Sequence, residues 1–499
     1  MANSCYPDIL SWVQNLPPTN QWRSNPLTFF ILSPSPSQPS LNLSVSKNPN
    51  SSKITFSIVA DFNVGVALWT SKPIKTKSDP LDHVGNETTT SCLLMNFVED
   101  VLNYASNKSS HTLRVTVMTE RNVDNFRDIF NLSFLSLAFL VCIYEAPASI
   151  RPGCLAALKN HLTDSRLRGA SKSLMKILGS NIEGQWMRSM NLAITNWIVE
   201  LQSTRTTPMR TPSPLFSYSL STFGLWKVQL YCPVVAMDLE SSESGSADEK
   251  LDFSLKYHQL ESVIQFNYSV TIQEKWVDVV FNIDNVRCDI IRLLNEALIK
   301  ERGAGSAEKH FPSRISLHLT PIPQANIISI SVGKSSENPT REIGLEKGIE
   351  TSFQPVNPFV GIQISAGESM SMSLKPWKFE ESVRGYSSIL NWFLHDGVDG
   401  REVVSSKPSK ISLLNPKAWF KGRYSSAYRP FTRQGGVIFA GDEYGNSVTW
   451  KVDKAAIRKT LEWEIRGWIW LTYWPNKHRT FYTETRRLEF RETVSLTIA

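Results

Sequence analysis

Alternating apolar and polar residues predict antiparallel strands through most of the second half of the chain. Residues 486–498 are the clearest run, and one strand face there holds Leu488, Phe490, Val494, Leu496 and Ile498. A period of two is the spacing of a strand with one buried face. Similar runs occur at 226–235, 263–272, 276–283, 315–320 and 327–332. One helix, near 285–301, is predicted to interrupt these strands and to end at Gly303.

The stretch WEIRGWIWLTYW (463–474) concentrates aromatic residues on one predicted strand. Its alternate positions form two sets: Trp463, Ile465, Gly467, Ile469, Leu471 and Tyr473, and Glu464, Arg466, Trp468, Trp470, Thr472 and Trp474. Both sets are largely apolar from Trp468 onward, as a strand covered on both sides requires. We therefore favour a core. The alternative is a binding face made by Trp468, Trp470, Trp474 and Arg466.

The first part of the chain mixes short strands with helices. FFIL (29–32), LNLSVS (41–46) and ITFSIV (54–59) read as strands, and 124–203 has helical spacing. The stretch 204–214 is rich in Pro, Thr and Ser and predicts a linker. The predicted organisation is a mixed strand and helix region (1–123), a helical subdomain (124–203), the linker, and a Trp-rich, mainly antiparallel β domain (215–499). The fold class is α+β, with a β-sandwich-like C-terminal region.

An apolar stretch, IFNLSFLSLAFLVCIY (129–144), allows two interpretations. It has 16 residues, including Asn131 and two serines, whereas a membrane span needs about 20 mostly apolar residues. A buried central helix is favoured, and a single-pass anchor is the alternative. The following segment, 151–210, holds nine Lys or Arg against three acids, so an anionic membrane surface is a possible partner.

Composition favours a globular protein of two or three domains. The chain has 499 residues, is 41% hydrophobic and 20% charged, and has a net charge of +7. Its six cysteines form no CxxC pair, which favours reduced, buried thiols and a cytoplasmic location. The acid-poor, Ser-rich N-terminus is also typical of an organelle-targeting peptide. The predicted strands at 29–59 argue against that alternative.

Catalytic motifs are sparse. GxSxG, GxxxxGK[ST], HExxH and a GxGxxG after a strand are all missing from the sequence. Asp61 and Asn63 in IVADFN, with Asp82 and His83 in LDHVG, resemble two elements of Mg²⁺-dependent endonuclease/exonuclease/phosphatase enzymes. Those enzymes need an early Glu to hold Mg²⁺, and Asp8 is the only acid before Asp61. A membrane-associated phosphoester hydrolase is therefore a minor alternative.

Other ligand classes receive weak support. Four acidic residues in predicted turns are candidates for Ca²⁺-binding loops: Asp396, Asp399, Asp442 and Glu443. Hairpin turns favour the same residue types. The basic segment 151–210 has few interleaved aromatic residues, which disfavours nucleic acid. We predict no cofactor and no metal; Mg²⁺ or Ca²⁺ enters only under these minority interpretations.

Several long, idiosyncratic stretches lie toward the C-terminus: FPSRISLHLTP, LKPWKFEESVRGY, NPKAWF, YRPFTRQGGVIFAGDEYG and WEIRGWIWLTYWPNKHRTFYTETRRLEFRE. Over residues 276–499 the chain resembles a plant-specific family of proteins of about this length with a Trp-rich C-terminal region. The resemblance implies a family and transfers no function. Such proteins have been labelled inositol-phosphate phosphatases, a label that the incomplete Asp61/Asn63 and Asp82/His83 elements support little.

The sequence favours an intracellular, non-enzymatic binding or scaffold protein for an unknown protein or small ligand. The alternatives are an inositol-phosphate-type phosphoester hydrolase at the membrane and a protein anchored by residues 129–144.

Overall fold

A computed structural model gives the fold for most of the chain. It describes residues 7–18, 21–22, 26–32, 40–47, 53–61, 65–75, 86–104, 117–121, 123–203, 216–243, 248–303, 308–333, 342–344, 371–373, 377–394, 437–440, 447–473 and 482–498. The predicted linker 204–214 lies outside these residues. The α+β class and the sheets of the C-terminal half are confirmed.

The N-terminal sheet forms where short apolar runs alternate with polar turn residues. Its strands are β1 (Leu27–Leu32), β2 (Ser40–Lys47), β3 (Lys53–Asp61), β4 (Gly65–Thr70) and β5 (Ile74–Lys75). They lie in the order β1-β2-β3-β4, all antiparallel, and β5 pairs with β3. Alternate residues of β3 are buried, from Ile54 to Ala60, so one face of the sheet lies against the core.

Five helices belong to this N-terminal half: α1 (Ile9–Gln14), α2 (Glu87–Asn103), α3 (Phe126–Glu145), α4 (Arg151–Leu162) and α5 (Ser165–Ser203). One continuous apolar core contains side chains from the N-terminal sheet and from all five helices. The predicted regions 1–123 and 124–203 both contribute side chains to this core.

Helix α3 is the centre of that core. It is long and apolar enough to cross a membrane, and 89% of its most apolar 18-residue window is buried inside the protein. Its polar Asn131 is also satisfied internally, because Asn131 Oδ1 accepts from the backbone N of Leu10 at 3.0 Å. Here α3 packs as a buried core helix, and membrane anchoring by 129–144 stays a prediction.

Helix α5 is interrupted at Gly179, whose φ of +76° and ψ of 161° lie outside the helical region and suit only glycine. Its second half docks on the C-terminal sheets through polar contacts. Glu183 is buried and accepts hydrogen bonds from the hydroxyls of Tyr218 at 2.7 Å and Tyr231 at 2.8 Å. Asn191 donates to Gln259 at 2.7 Å. These buried contacts fix α5 against the sandwich.

Two antiparallel sheets make up the C-terminal half, as far as the structure describes it. The larger contains β6 (Phe216–Thr222), β7 (Leu225–Pro233), β9 (His258–Ile272), β10 (Trp276–Arg292), β12 (Ile327–Gly333), β17 (Val437–Ala440) and β18 (Ser447–Asp453). The smaller contains β8 (Asp238–Glu243), β11 (Phe311–Ile322), β15 (Trp377–Arg384), β16 (Ser387–Leu394), β19 (Thr460–Tyr473) and β20 (Thr483–Thr497). A short pair, β13 (Glu342–Gly344) and β14 (Ser371–Ser373), completes the described strands.

The two sheets pack face to face around a second apolar core. Aromatic rings lie at its centre: Phe281 is within 5.0 Å of Trp450 and 5.4 Å of Trp463, measured between ring centroids. Trp226 lies 4.2 Å from Phe281. The first alternating set of β19 faces this core, and Trp463, Ile465, Ile469 and Leu471 are fully buried.

The prediction of a helix near 285–301 is wrong over most of that range. Residues 285–292 continue β10, and α7 is limited to Glu296–Arg302. Burial alternates along this part of β10, since Val286, Cys288 and Ile290 face the core. Pairing with β9 on one side and β17 on the other outweighs the local helical spacing.

The acidic composition of ESSESGSADEK (240–250) predicts a surface loop, but the described residues of this stretch belong to a strand and a helix. Residues 238–243 form the edge strand β8, which pairs with β20. The short helix α6 (Glu249–Lys256) then begins at Asp248, whose side chain caps it.

Candidate functional site

The outer face of β19 carries the residues predicted as a binding face. Arg466 and Trp468 are half-buried there, and the Arg466 guanidinium lies 4.8 Å from the Trp468 ring centroid. The ring of His318, on the neighbouring β11, lies edge to face with Trp468 at 4.7 Å between centroids. Arg466 Nε also donates to Glu489 at 2.8 Å. Arg466 and Trp468 therefore contact each other and side chains from neighbouring strands of their own sheet.

Trp470 is more buried than its neighbour Trp468. It is 8% exposed because the guanidinium of Arg314 stacks between the rings of Trp470, at 4.5 Å, and Phe393, at 4.7 Å. Trp474, the fourth predicted binding residue, lies outside the described residues. The structure therefore brings Arg466, Trp468 and Trp470 together on one face, largely covered by their own stacking partners.

A cleft of about 600 Å³ lies beside this face, where the end of α5 meets the edge of the smaller sheet. It is lined by Ile198, Leu201, Gln202, Val235, Ala236, Met237, Asp238, Leu239, Glu240, Arg486 and Arg487. Ile198, Val235 and Met237 are buried and provide an apolar wall. The volume falls in the range of about 300–1,000 Å³ that small-molecule sites occupy.

The cleft also has charged lining residues. Arg487 Nη1 lies 2.8 Å from Glu240 Oε1, and Arg487 Nη2 lies 3.9 Å from Asp238 Oδ2. Trp470 Nε1 donates to Glu240 Oε2 at 2.6 Å, so Trp470 positions one cleft carboxylate although it does not line the cleft. The Asp238 side chain is 60% exposed, and its carboxylate can accept hydrogen bonds from a ligand.

A buried polar cluster lies behind Arg486. Arg486 Nη1 donates to the carbonyl oxygens of Val234 at 3.4 Å and Val235 at 3.3 Å, which fixes this arginine against the cleft wall. Arg486 Nε donates to Glu484 Oε1, and His310 Nε2 lies 3.1 Å from the same oxygen. Burial alone would raise the pKa of Glu484, but hydrogen bonds and charge from His310 and Arg486 outweigh burial and lower it well below its ordinary value.

His258 completes this cluster. It is fully buried, and neither of its ring nitrogens has a hydrogen-bond partner among the described residues. Its ring stands perpendicular to that of His310, with 6.0 Å between the centroids. Burial, together with the nearby charges of His310, Arg292 and Lys309, holds the pKa of His258 well below 6.5. We call His258 and His310 the histidine pair.

The stability of the C-terminal half is expected to fall in mild acid because of His258. The unfolded chain binds a proton at this residue below pH 6.5, whereas the folded chain does not. Each pH unit below that value therefore removes about 1 kcal/mol, until the folded pKa is reached. Urea unfolding between about pH 7.5 and pH 5.5, followed by tryptophan fluorescence, measures the loss.

The variant His258→Phe is the matched control for that loss, because it removes the titrating group and keeps a ring of similar size. It should lose about 1 kcal/mol less than the natural protein between about pH 6.5 and about pH 5.5. An identical acid slope in both proteins would contradict this assignment.

Of the residues predicted for phosphoester hydrolysis, the structure describes Asp61. Asp61 is the exposed last residue of β3. Asn63, Asp82 and His83 lie outside the described residues, as do the Ca²⁺ candidates Asp396, Asp399, Asp442 and Glu443. In the described parts of the chain, no three His, Cys, Asp or Glu side chains are grouped to hold a metal ion.

The predicted basic surface is partly neutralised within the protein. Arg151 Nη1 lies 2.6 Å from Glu200, and Arg188 Nε lies 3.0 Å from Glu261. Lys172 lies near the carboxyl group of Glu492, whose pKa is raised mainly by burial. An anionic membrane surface as partner of 151–210 stays a prediction.

Comparison with known proteins adds little. No family model matches the chain, and no curated protein matches it. Among solved structures, Clostridium perfringens delta-toxin aligns with 9% identity and a TM-score of 0.22, covering 56% of this chain and 94% of the toxin. A pore-forming protein aligns with 8% identity and a TM-score of 0.21, covering 56% and 94%. The membrane-inserted form of C. perfringens NetB toxin aligns with 9% identity and a TM-score of 0.16, covering 56% of this chain and 93% of the toxin. These TM-scores are too low to indicate a shared fold.

Proposed function

We propose that this protein is a non-enzymatic binding protein that takes a small amphipathic ligand in the cleft between α5, β8 and β20. The single observation that supports it is the cleft itself, whose lining combines apolar residues with paired charges. Apolar surface supplies the binding energy in such sites, and a few fixed polar groups set the orientation of the ligand.

The polar wall suits a ligand that carries both donors and acceptors. The exposed Asp238 carboxylate accepts hydrogen bonds, and Arg487 has further N–H donors besides the one directed at Glu240. The ligand's apolar part lies against Ile198 and Met237 in this proposal. The lining comes from α5 and from the edge of the smaller sheet with the residues just before it, so the site depends on the docking of these elements.

The uncharged fluorophore N-phenyl-1-naphthylamine is a suitable probe, because its emission rises in apolar surroundings. We expect saturable binding with a Kd on the order of 10 µM, as a compact apolar ligand of this size allows. The variant Leu201→Trp fills the apolar wall from α5, and Ala236→Leu narrows the cleft from the sheet side. Each should weaken binding about tenfold or more, and fluorescence titration measures the change.

Ile328→Trp provides a matched control, since Ile328 is an exposed residue of β12 on the other sheet. This variant should bind the probe within about twofold of the natural protein. The proposal is wrong if the natural protein shows no saturable binding, or if both cleft variants bind as tightly as it does.

A further inference from the structure

We propose that the cleft takes an extended, basic peptide segment, which adds a further strand to the smaller sheet beside β8. This inference rests on the proposed binding function of the cleft and specifies the class of its ligand. It is supported by the open edge of β8, by the path of the cleft along that edge, and by the charge of the strand.

Strand β8 lies at one edge of the smaller sheet. It pairs with β20 on one side, and among the described residues no strand pairs with its other side. Residues 238–242 are all exposed, and Leu239 is 54% exposed. An edge strand presents a row of backbone N–H and C=O groups with which an extended peptide forms main-chain hydrogen bonds. The smaller sheet can therefore accept one more strand here.

The cleft follows this edge and is not confined to one face of the sheet. Alternate side chains of a strand point to opposite faces. The consecutive residues Asp238 and Leu239 nevertheless both line the cleft, and so do their cross-strand partners Arg487 and Arg486. Side chains from both faces thus border the same space, which places that space at the strand edge, where an added strand would lie.

The end of α5 adds an apolar surface beside the strand edge. Ile198, Leu201 and Gln202 line the cleft and are spaced three and four residues apart, so they lie on one face of the helix. Met237, the residue before β8, also lines the cleft. In strand addition, main-chain hydrogen bonds supply affinity and pockets for alternate side chains supply specificity. This surface suits a peptide whose alternate residues are apolar.

Charge at the edge favours a cationic partner. Strand β8 contains three acidic residues and no basic residue. Of the two arginines that line the cleft, Arg486 donates to Glu484, and Arg487 pairs with Glu240 at 2.8 Å. Asp238 lies farther from Arg487, at 3.9 Å, and its side chain is 60% exposed. Its carboxylate can therefore accept a hydrogen bond from a lysine or arginine of the peptide.

The same acidic residues disfavour a second copy of this chain as the occupant. Two β8 strands placed side by side would bring like charges together, which opposes pairing. A basic peptide brings opposite charges together in the same position.

A fluorescein-labelled hexapeptide of alternating arginine and valine, blocked at both ends, tests the proposal by fluorescence anisotropy. Its length matches the six residues of β8. We expect saturable binding with a Kd on the order of 100 µM, and the unlabelled peptide should displace N-phenyl-1-naphthylamine from the cleft. A control peptide of alternating glutamate and valine should bind about tenfold more weakly or worse.

N-methylation tests whether the peptide binds as a strand. Alternate backbone N–H groups of a strand point toward the neighbouring strand, so methylating the arginine nitrogens and methylating the valine nitrogens remove different sets of donors. One of the two methylated peptides should bind about tenfold more weakly than the other, or worse. Equal affinities of the two methylated peptides would overturn strand addition.

The variant Asp238→Lys should raise the Kd of the arginine–valine peptide about fivefold or more, because a like charge replaces the carboxylate that faces the peptide. Glu381→Lys is the matched control, since it makes the same change of charge on β15 at the other edge of the same sheet. It should change the Kd less than about twofold. Equal effects of the two variants would contradict the assigned edge. N-phenyl-1-naphthylamine should bind both variants as it binds the natural protein.

The two probes separate failure of this inference from failure of the proposed function. Binding of N-phenyl-1-naphthylamine without saturable binding of the arginine–valine peptide would overturn the peptide proposal and leave the cleft function intact. Absence of binding of both probes would overturn the cleft function as well. Analytical ultracentrifugation tests the second copy: a dimer that the peptide dissociates would assign the edge to that copy and overturn the proposal, whereas a monomer agrees with it.

Discussion

Replacing Trp463 by alanine is expected to lower the free energy of unfolding of the C-terminal sandwich by about 3–5 kcal/mol. Trp463 is fully buried, and its ring centroid lies 5.5 Å from Trp226 and 5.4 Å from Phe281. Alanine at this position leaves a cavity between the two sheets, because the sheets cannot move together to fill it. Urea unfolding followed by tryptophan fluorescence and by circular dichroism measures the loss.

Trp468→Ala is the matched control, because the same residue type is removed from the opposite face of the same strand. Its principal stacking contacts are with Arg466 and His318 on the outer face, so the expected loss is about 1 kcal/mol or less. Similar losses for the two variants would show that β19 does not separate a core face from an outer face.

The second large effect is expected for Gly467→Val. A Cβ atom at Gly467 would lie 2.1 Å from Phe490 Cζ and 3.0 Å from Leu317 Cδ2. Gly467 and Phe490 are direct partners across β19 and β20, and the phenyl ring covers the glycine backbone. Valine forces this buried ring aside, and we expect a loss of about 3 kcal/mol or more in the same unfolding experiment.

Two controls test whether the stability loss of Gly467→Val comes from overpacking against Phe490 or from replacing a glycine as such. Gly169→Ala in α5 places its methyl group where nothing lies within 4 Å, so it should raise stability by about 0.5–1 kcal/mol. Combining Gly467→Val with Phe490→Leu should cost less than the sum of the two single changes, because the smaller side chain relieves the clash. Strict additivity would contradict the proposed contact.

The pattern of apolar and polar residues predicts much of the fold. The period of two in β20 and the apolar spacing of α4 and α5 predict elements that the structure contains, because in each case one face is buried against a large core. Residues 285–292 are predicted as helix but form strand, because their apolar positions fit both periods. Long pairing with β9 selects the strand there, and that pairing is invisible in local sequence.

The sequence predicts less of the cleft than of the fold. Its lining comes from α5, from residues 235–240 and from β20, which lie far apart in the chain and meet only through docking of α5. Patterning did identify Trp470, which positions Glu240, but the stretch containing Glu240 was predicted as a surface loop. His258 and His310 carried no motif, and only three-dimensional packing brings their rings together.

A crystal structure of the full chain with N-phenyl-1-naphthylamine is the most direct test of the central claim that the cleft binds a ligand. We expect density for the probe between the end of α5 and Met237, close to Arg487. Probe density at another site, with solvent alone between α5 and β20, would contradict it.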